Sequence, residues 1–300
     1  MLQKLSKILK LAPLVPPVMF TALIVFIWVY MHHRGMALFD THGIMATKER
    51  NLFIFGLLLS IIVVVPVFAL LFSFAWRYRE QNTKAYYSPE LAGNRRAETV
   101  WWLIPGVLIL ILSVVTWNSS HSLDPFRPLA SSNAPLKVQV ISLDWRWLFI
   151  YPDQHVASIN SLYIPTDTPI ELSLTSDAPM NSFWVPQLSG QIYTMPGMST
   201  QLHIMADKIG SYRGESANIS GKGFSDMVFT THAVSEADFN GWVQHAQQDG
   251  AKLTHATYTQ LAKPNTDRGV YTYGFVDPSL YTWVIDKYMM PQTNTTEQQL

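Results

Sequence analysis

Residues 52–76 read LFIFGLLLSIIVVVPVFALLFSFAW, with no charged side chain among them. A bilayer core about 30 Å thick takes roughly 20 apolar residues of helix to cross, so this stretch is a membrane span and its reading divides the chain. On its C-terminal side a polar segment carries Arg77, Arg79, Lys84, Arg95 and Arg96, and a second uncharged apolar run, Val100 to Trp117, follows. Two spans joined by a short basic loop make a hairpin. Short basic loops stay in the cytoplasm, which puts everything beyond Trp117 outside. Trp76, Trp101, Trp102 and Trp117 mark the ends of the two runs and suit aromatic belts. Pro66 and Pro105 are tolerable inside them where neighbouring helices satisfy the freed carbonyls. On the N-terminal side, Leu11 to Met31 is a third apolar run behind Lys4, Lys7 and Lys10. Residues 1–35 are therefore a signal peptide or a signal-anchor helix. The length of the run and the lack of a clear small-x-small cleavage site favour a retained anchor.

The composition agrees with a membrane protein that carries one soluble domain. Hydrophobic residues make up 48% of the 300-residue chain and charged ones 14%, against about 25% charged in soluble domains. The apolar excess lies ahead of residue 120. The remaining stretch, roughly 180 residues, suffices for one sizeable core. A net charge of +0 without basic runs beyond the span flanks gives no electrostatic case for nucleic acid. The chain has no cysteine, so it has no disulfide framework, no thiolate zinc site and no lipobox.

From about Pro135 short strand-like runs appear: Lys137 to Leu143, Trp145 to Tyr151, Ile170 to Leu174, Phe183 to Val185, Thr200 to Met205 and Met227 to Thr231. Pro, Gly, Asn and Asp punctuate them, which predicts an all-β sandwich or barrel. After Val234 the pattern turns helical. Ser235 with Asp238 forms a capping box ahead of Phe239, Trp242 and Val243, and Asp277-Pro278 opens a second helix with the stripe Leu280, Trp283, Val284 and Tyr288. Gln292 to Leu300 is polar and predicted to be disordered. The expected fold is thus membrane α plus β: two or three transmembrane helices (hairpin 36–120, spans about 52–76 and 100–117), an outer β domain over 121–234, and a C-terminal helical extension with a polar tail over 235–300.

Several local motifs carry a family resemblance. They are Phe74-Ala75-Trp76-Arg77-Tyr78-Arg79, Tyr87-Ser88-Pro89, Ala97-Glu98-Thr99-Val100-Trp101-Trp102, Leu143-Asp144-Trp145-Arg146-Trp147, Met180-Asn181-Ser182-Phe183, Gln191-Ile192-Tyr193 and Pro196-Gly197-Met198. Together, from about Leu38 to Met289, they resemble subunit II of the haem-copper respiratory oxidases, most closely the cytochrome bo-type, quinol-oxidising branch. The resemblance implies a cupredoxin-like outer domain. In the cytochrome c-oxidising branch that domain holds two coppers through two cysteines, two histidines, a methionine and a glutamate carbonyl. Here the corresponding positions are Asn181, Ser216, Asn218, Ser220, Phe224 and Met227. Serine stands at both sulfur positions of the loop Gly214 to Gly221, and only Met227 is retained. Copper of this kind needs soft thiolate ligands, so no metal or cofactor is expected in this chain. Haems and copper would belong to the large catalytic subunit I.

The resemblance further implies smaller membrane subunits (III and IV) as partners, ubiquinol as the substrate of the complex, and a place in the bacterial inner membrane with the C-terminal domain in the periplasm. It puts Glu98 at the mouth of a proton-uptake path leading into the large subunit. A solvated carboxylate at a span boundary is the plainer reading of the same residue. Trp145 stands where relatives accept electrons, but with no copper behind it packing is the favoured role. Packing is favoured for Met195, Met198 and Met205 as well, and His32 and His33 have no partners at metal-ligand spacing. The expected function is that of a non-catalytic but required subunit of a proton-pumping oxidase that oxidises ubiquinol and reduces oxygen to water. The alternatives are a membrane-anchored periplasmic binding module unrelated to respiration and a cytochrome c oxidase subunit II. The absence of cysteine counts against the last.

Overall fold

A computed structural model describes residues 36–86, 90, 93–131 and 133–289, together with 25, 26, 29 and 30. Most of the first apolar run, the Tyr87-Ser88-Pro89 motif and the polar tail from Gln292 fall outside these residues.

Two long helices come first, α1 (Ile44–Arg77) and α2 (Arg95–Ser122). At 1.5 Å per residue they are about 50 and 40 Å long, enough to cross a bilayer. Their apolar side chains are exposed along nearly the whole length, as lipid- or partner-facing surfaces are. Both helices extend beyond the apolar runs that announce them. α2 starts five residues earlier because Asn94 caps it, its side-chain oxygen accepting from Arg96 N (3.0 Å) and Ala97 N (3.3 Å). α1 starts eight residues earlier for another reason. Its N-terminus is built into the β domain: Gly43 bridges Ala206, His42 N donates to Gln187 O (2.8 Å), and Ala46 N donates to Leu188 O (3.3 Å). The domain therefore satisfies a helix-end N–H that would otherwise lack a partner. Only glycine fits at 43, since a Cβ there would stand 2.2 Å from Leu188 O.

Twelve strands follow among the described residues: β1 (Leu136–Leu143), β2 (Arg146–Tyr151), β3 (Val156–Ile159), β4 (Ser161–Pro165), β5 (Ile170–Ser176), β6 (Asn181–Trp184), β7 (Ile192–Thr194), β8 (Thr200–Ile204), β9 (Gly210–Ser216), β10 (Val228–Val234), β11 (Ala251–Leu253) and β12 (Tyr271–Val276). They form a seven-stranded sheet in the order β11-β12-β3-β2-β1-β5-β8 and a five-stranded sheet in the order β4-β10-β9-β6-β7. Strand β2 reads as nearly continuous apolar sequence because all six of its residues are buried. Trp147, Phe149 and Tyr151 enter the core between the sheets, beside Phe183 and Phe229. Leu148 and Ile150 point the opposite way with Ile141, Leu143 and Ile159. That second face is covered by three further elements: β11, α4 (His255–Leu261) and α5 (Leu280–Met289), through Leu253, Tyr258, Leu280, Tyr281 and Val284. A sheet covered on both faces has no polar side to alternate with.

Three sequence expectations change here. Trp145 is not the first residue of a strand. It sits in the Asp144–Trp145 turn with φ +68°, and β2 begins at Arg146. Residues 235–289 are not only a helical extension. α3 (Glu236–Asp249) does start on the expected box, Ser235 Oγ accepting from Asp238 N (3.2 Å), but β11 and β12 then join the main sheet, β12 pairing antiparallel with β3. Short strands of mixed composition such as Ala251–Leu253 carry no period to read. Finally, Pro278 lies ahead of the last helix rather than at its first position. Asp277 Oδ1 accepts from Ser279 N (2.9 Å) and the helix proper starts at Leu280.

Candidate functional site

The turn leaving β5 carries Asp177, Ala178, Pro179 and Met180 into β6, which begins at Asn181. Strand β9 ends beside it at Ser216, with Ala217 N donating to Ser182 O (2.9 Å). This pairing brings three of the six singled-out positions together. Asn181 is buried. Its Nδ2 donates to Pro179 O (2.9 Å), and its Oδ1 accepts from Ser216 Oγ (3.0 Å). The single hydroxyl proton of Ser216 lies between Asn181 Oδ1 and Asn218 O (3.2 Å), while its oxygen accepts from Ser182 N (3.4 Å). Asn218 Nδ2 closes the loop by donating to Met180 O (2.9 Å).

The other three positions do not join this network. Met227 receives Ser216 N at its backbone oxygen (3.2 Å), but its side chain is buried in the core between the sheets. Phe224 opens a short 3-10 turn, Phe224–Asp226, and is half-buried. Ser220 Oγ is buried and has no hydrogen-bond partner among the described residues. Trp145 lies over this loop. A Cβ at Gly223 would stand 2.3 Å from Trp145 Cδ2, and one at Gly221 3.5 Å from Cζ2. The indole thus packs on bare backbone, and its left-handed φ is the local cost of that seat.

The donor set does not fit copper. No thiolate exists in the chain, and among the described residues no group of three or more His, Cys, Asp or Glu converges. The two amides and the one hydroxyl at Asn181, Ser216 and Asn218 are spent on one another and on the backbone carbonyls of Pro179 and Met180. No electron-transfer step is assigned to this domain.

Next to that neutral network stands a charged one that no sequence motif announces. Asp177 is buried, and its carboxylate accepts from Lys287 Nζ (2.7 Å), Tyr288 OH (2.7 Å) and Tyr258 OH (2.9 Å). These donors come from α4 and α5, so the cluster fastens the C-terminal extension to the turn ahead of Asn181. Burial, then the negative Asp177, push the Tyr258 phenol upward, and burial with the Asp177 hydrogen bond does the same to Tyr288. Tyr281, buried beside Ser199 (2.8 Å), is pushed up to about 12. Asp144 is raised by burial and by repulsion from Asp177. A Cβ at Gly197, where φ is +71°, would stand 3.2 Å from Tyr288 Cβ.

Glu98 is in neither group. It is exposed in the first turn of α2, its N–H donating to Asn94 O (2.9 Å), and the length of that helix, about 40 Å, separates it from the β domain. At the opposite ends of the two helices, Met45 and Glu49 of α1, Leu123 and Pro125 after α2, the loop Ser189–Gln191, and Leu202 and His203 of β8 enclose a cavity of ≈ 70 Å³. Sequence reasoning missed this site too, since Glu49 and His203 are 154 positions apart.

Comparison with known proteins agrees with this layout. The family model for the periplasmic domain of cytochrome c oxidase subunit II matches residues 153–234, and that for the COX aromatic rich motif matches residues 247–292. The chain is 46% identical over 253 residues to cytochrome bo(3) ubiquinol oxidase subunit 2 of Pseudomonas aeruginosa, covering 84% of this chain and 76% of that one. It is 43% identical over 251 residues to ubiquinol oxidase subunit 2 of Acetobacter aceti, covering 83% and 81%. Among solved structures, the periplasmic domain of subunit II of cytochrome oxidase from Bradyrhizobium japonicum aligns with a TM-score of 0.38 at 20% identity, covering 41% of this chain and 98% of that domain.

Proposed function

The chain belongs to the ubiquinol oxidase subunit 2 family, and is therefore a membrane subunit of a terminal quinol oxidase with a periplasmic C-terminal domain; from that premise we propose what it contributes. It carries no redox centre. Electrons from ubiquinol pass through haems and copper held by the large subunit I, which α1 and α2 flank in the bacterial inner membrane alongside the smaller subunits III and IV. Quinol reaches the complex within the bilayer, so no soluble donor has to be met by the outer domain. The observation that carries this reading is the closed Asn181–Ser216–Asn218 hydrogen-bond network at the positions where a copper centre would need thiolates and imidazoles. Glu98, exposed at the cytoplasmic end of α2, is the proton entrance. A carboxylate in the first helical turn is favoured by the helix dipole and stays open to water.

The test is to purify the complex through a tag on this chain and drive oxygen uptake with ubiquinol or with reduced cytochrome c. Uptake with ubiquinol alone, from a sample whose copper is accounted for by the catalytic subunit, is the expected result. Uptake with cytochrome c would overturn it, and a sample with no haem and no uptake would make the chain a periplasmic binding module. Glu98→Gln is expected to lower quinol-driven uptake by roughly 10-fold or more, the scale of losing a positioned proton carrier. An unchanged rate removes Glu98 from the proton path.

A further inference from the structure

The cavity where the helix pair meets the β domain has the composition of a site, and nothing above uses it. His203 is 6% exposed. Its Nδ1 lies 2.9 Å from Pro125 O, and a carbonyl can only accept, so Nδ1 carries the proton and donates. That leaves Nε2 with no protein partner among the described residues. Glu49 enters from α1, its carboxylate set against the backbone of Gly190. The approach is close: a Cβ on Gly190 would stand 2.5 Å from Glu49 Oε1. Ser189 and Gln191 add a hydroxyl and an amide to the wall. A buried water needs about 10–15 Å³ of such space and two to four polar partners; this cavity offers ≈ 70 Å³ and both kinds of partner.

We propose that this cavity is a hydrated proton-exchange site at the periplasmic mouth of the helix pair, in which Glu49 and His203 share an excess proton across bound water. The inference rests on the quinol oxidase reading. Oxidation of one quinol sends two electrons to the catalytic subunit and releases two protons, which must reach outer water. A proton arriving at the cavity converts the Glu49 carboxylate to the acid. Water carries it on to His203 Nε2, forming an imidazolium whose Nδ1–H stays on Pro125 O. Loss of the Nε2 proton to the periplasm restores both groups.

The neighbouring titratable groups are few. Glu171 stands opposite His203 in the β5–β8 ladder. Asp40 and Asp207 face His42 at 3.0 and 4.0 Å at the start of α1, and Arg50 binds Thr41. In the last turn of α2, His121 is turned to Trp117 O, and past the helix Asp124 accepts from Phe126 N. Glu171 pairs with His203 across the ladder without lining the cavity; the others are occupied with partners of their own.

The experiment uses the whole oxidase reconstituted into vesicles, with a pH dye outside and an oxygen pulse to start turnover. The readout is the delay between oxygen consumption and the appearance of external protons. Glu49→Gln and His203→Gln are each expected to lengthen the delay several-fold, and the double variant to lengthen it no further, because both groups serve one relay. Proton release that keeps pace with oxygen consumption in both single variants overturns the proposal. Delays that multiply in the double variant overturn it as well. If Glu49→Gln does not assemble, Ser189→Ala keeps both titratable groups and removes a water partner; a delay is expected there, and its absence counts against the site. Wild-type vesicles that consume no oxygen with quinol would instead refute the family function, a different failure.

Discussion

Asp177 and Asn181 stand four residues apart in one turn, yet the two clusters they anchor rest on different physics. Around Asn181 every group is neutral, and each hydrogen bond replaces one that water would have made, so each contributes about 1 kcal/mol net. Around Asp177 a buried carboxylate depends on three donors, and its loss of hydration is offset only while all three stay in place. The first cluster is a position that can be filled in many ways. The second is a fastening that tolerates little change, and it ties down the part of the chain furthest away in sequence.

The largest effect should come from Asp177→Ala, which leaves Tyr258 OH buried without an acceptor and Lys287 and Tyr288 without a partner. A loss of about 3 kcal/mol is expected in thermal or denaturant unfolding of the outer domain, with amide exchange rising first over residues 255–261 and 280–289. A loss under 1 kcal/mol would erase the contrast between the clusters. Alkaline pH should loosen the C-terminal extension, through the phenols of that cluster and through Tyr281 beside Ser199, while sparing the neutral network. The folded protein holds the phenolic protons of Tyr258, Tyr281 and Tyr288 to higher pH than the unfolded chain does. The stability this gives is therefore complete below the unfolded tyrosine value of about 10 and falls as pH rises through the folded values. Tyr281 alone should cost roughly 2 kcal/mol by pH about 12. Unfolding free energy measured between pH 9 and 12 in Tyr281→Phe should show a shallower decline than in the parent, and an identical slope would refute the assignment. Ser216→Ala should cost about 1 kcal/mol, and its effect should overlap with that of Asn181→Ala in a double-mutant cycle, since the two share one bond. Smallest is Arg268→Ala. Its ion pair with Asp226 is solvent-exposed, so the change should stay within about 0.5 kcal/mol.

The helical hairpin was legible because its two uncharged runs have bilayer length, and Ile170–Leu174 was legible because apolar and polar residues alternate along it, as its burial does. Helix α3 was announced by Ser235 and Asp238, whose capping chemistry is local. Most of what could not be read depends on partners distant in the chain. The Asp177 carboxylate has no meaning until α4 and α5 return to it from residues 258–288. Glu49 meets Gly190 and His203 only when a transmembrane helix is seated on a sheet. The candidate copper positions were a mixed case. The resemblance named six positions, and the structure separates Asn181, Ser216 and Asn218, which share one hydrogen-bond network, from Ser220, Phe224 and Met227, which do not join it. Trp145 was misread as strand because a run of aromatic and aliphatic residues carries no marker for a left-handed turn.

The pairing of β12 with β3 has a consequence for how the protein is made. A chain ending near Val234 contains a matched family domain and looks finished, yet strand β3 then has an open edge and Ile141, Leu143, Leu148 and Ile150 have no cover. The main sheet can close only after residues 271–276 have crossed the membrane, followed by α5. During secretion the outer domain is therefore an unsealed surface until residues 271–289 arrive. A nascent chain stalled ahead of Tyr271 exposes a sticky edge and an apolar face to the periplasm, where holding factors or proteases would meet it first.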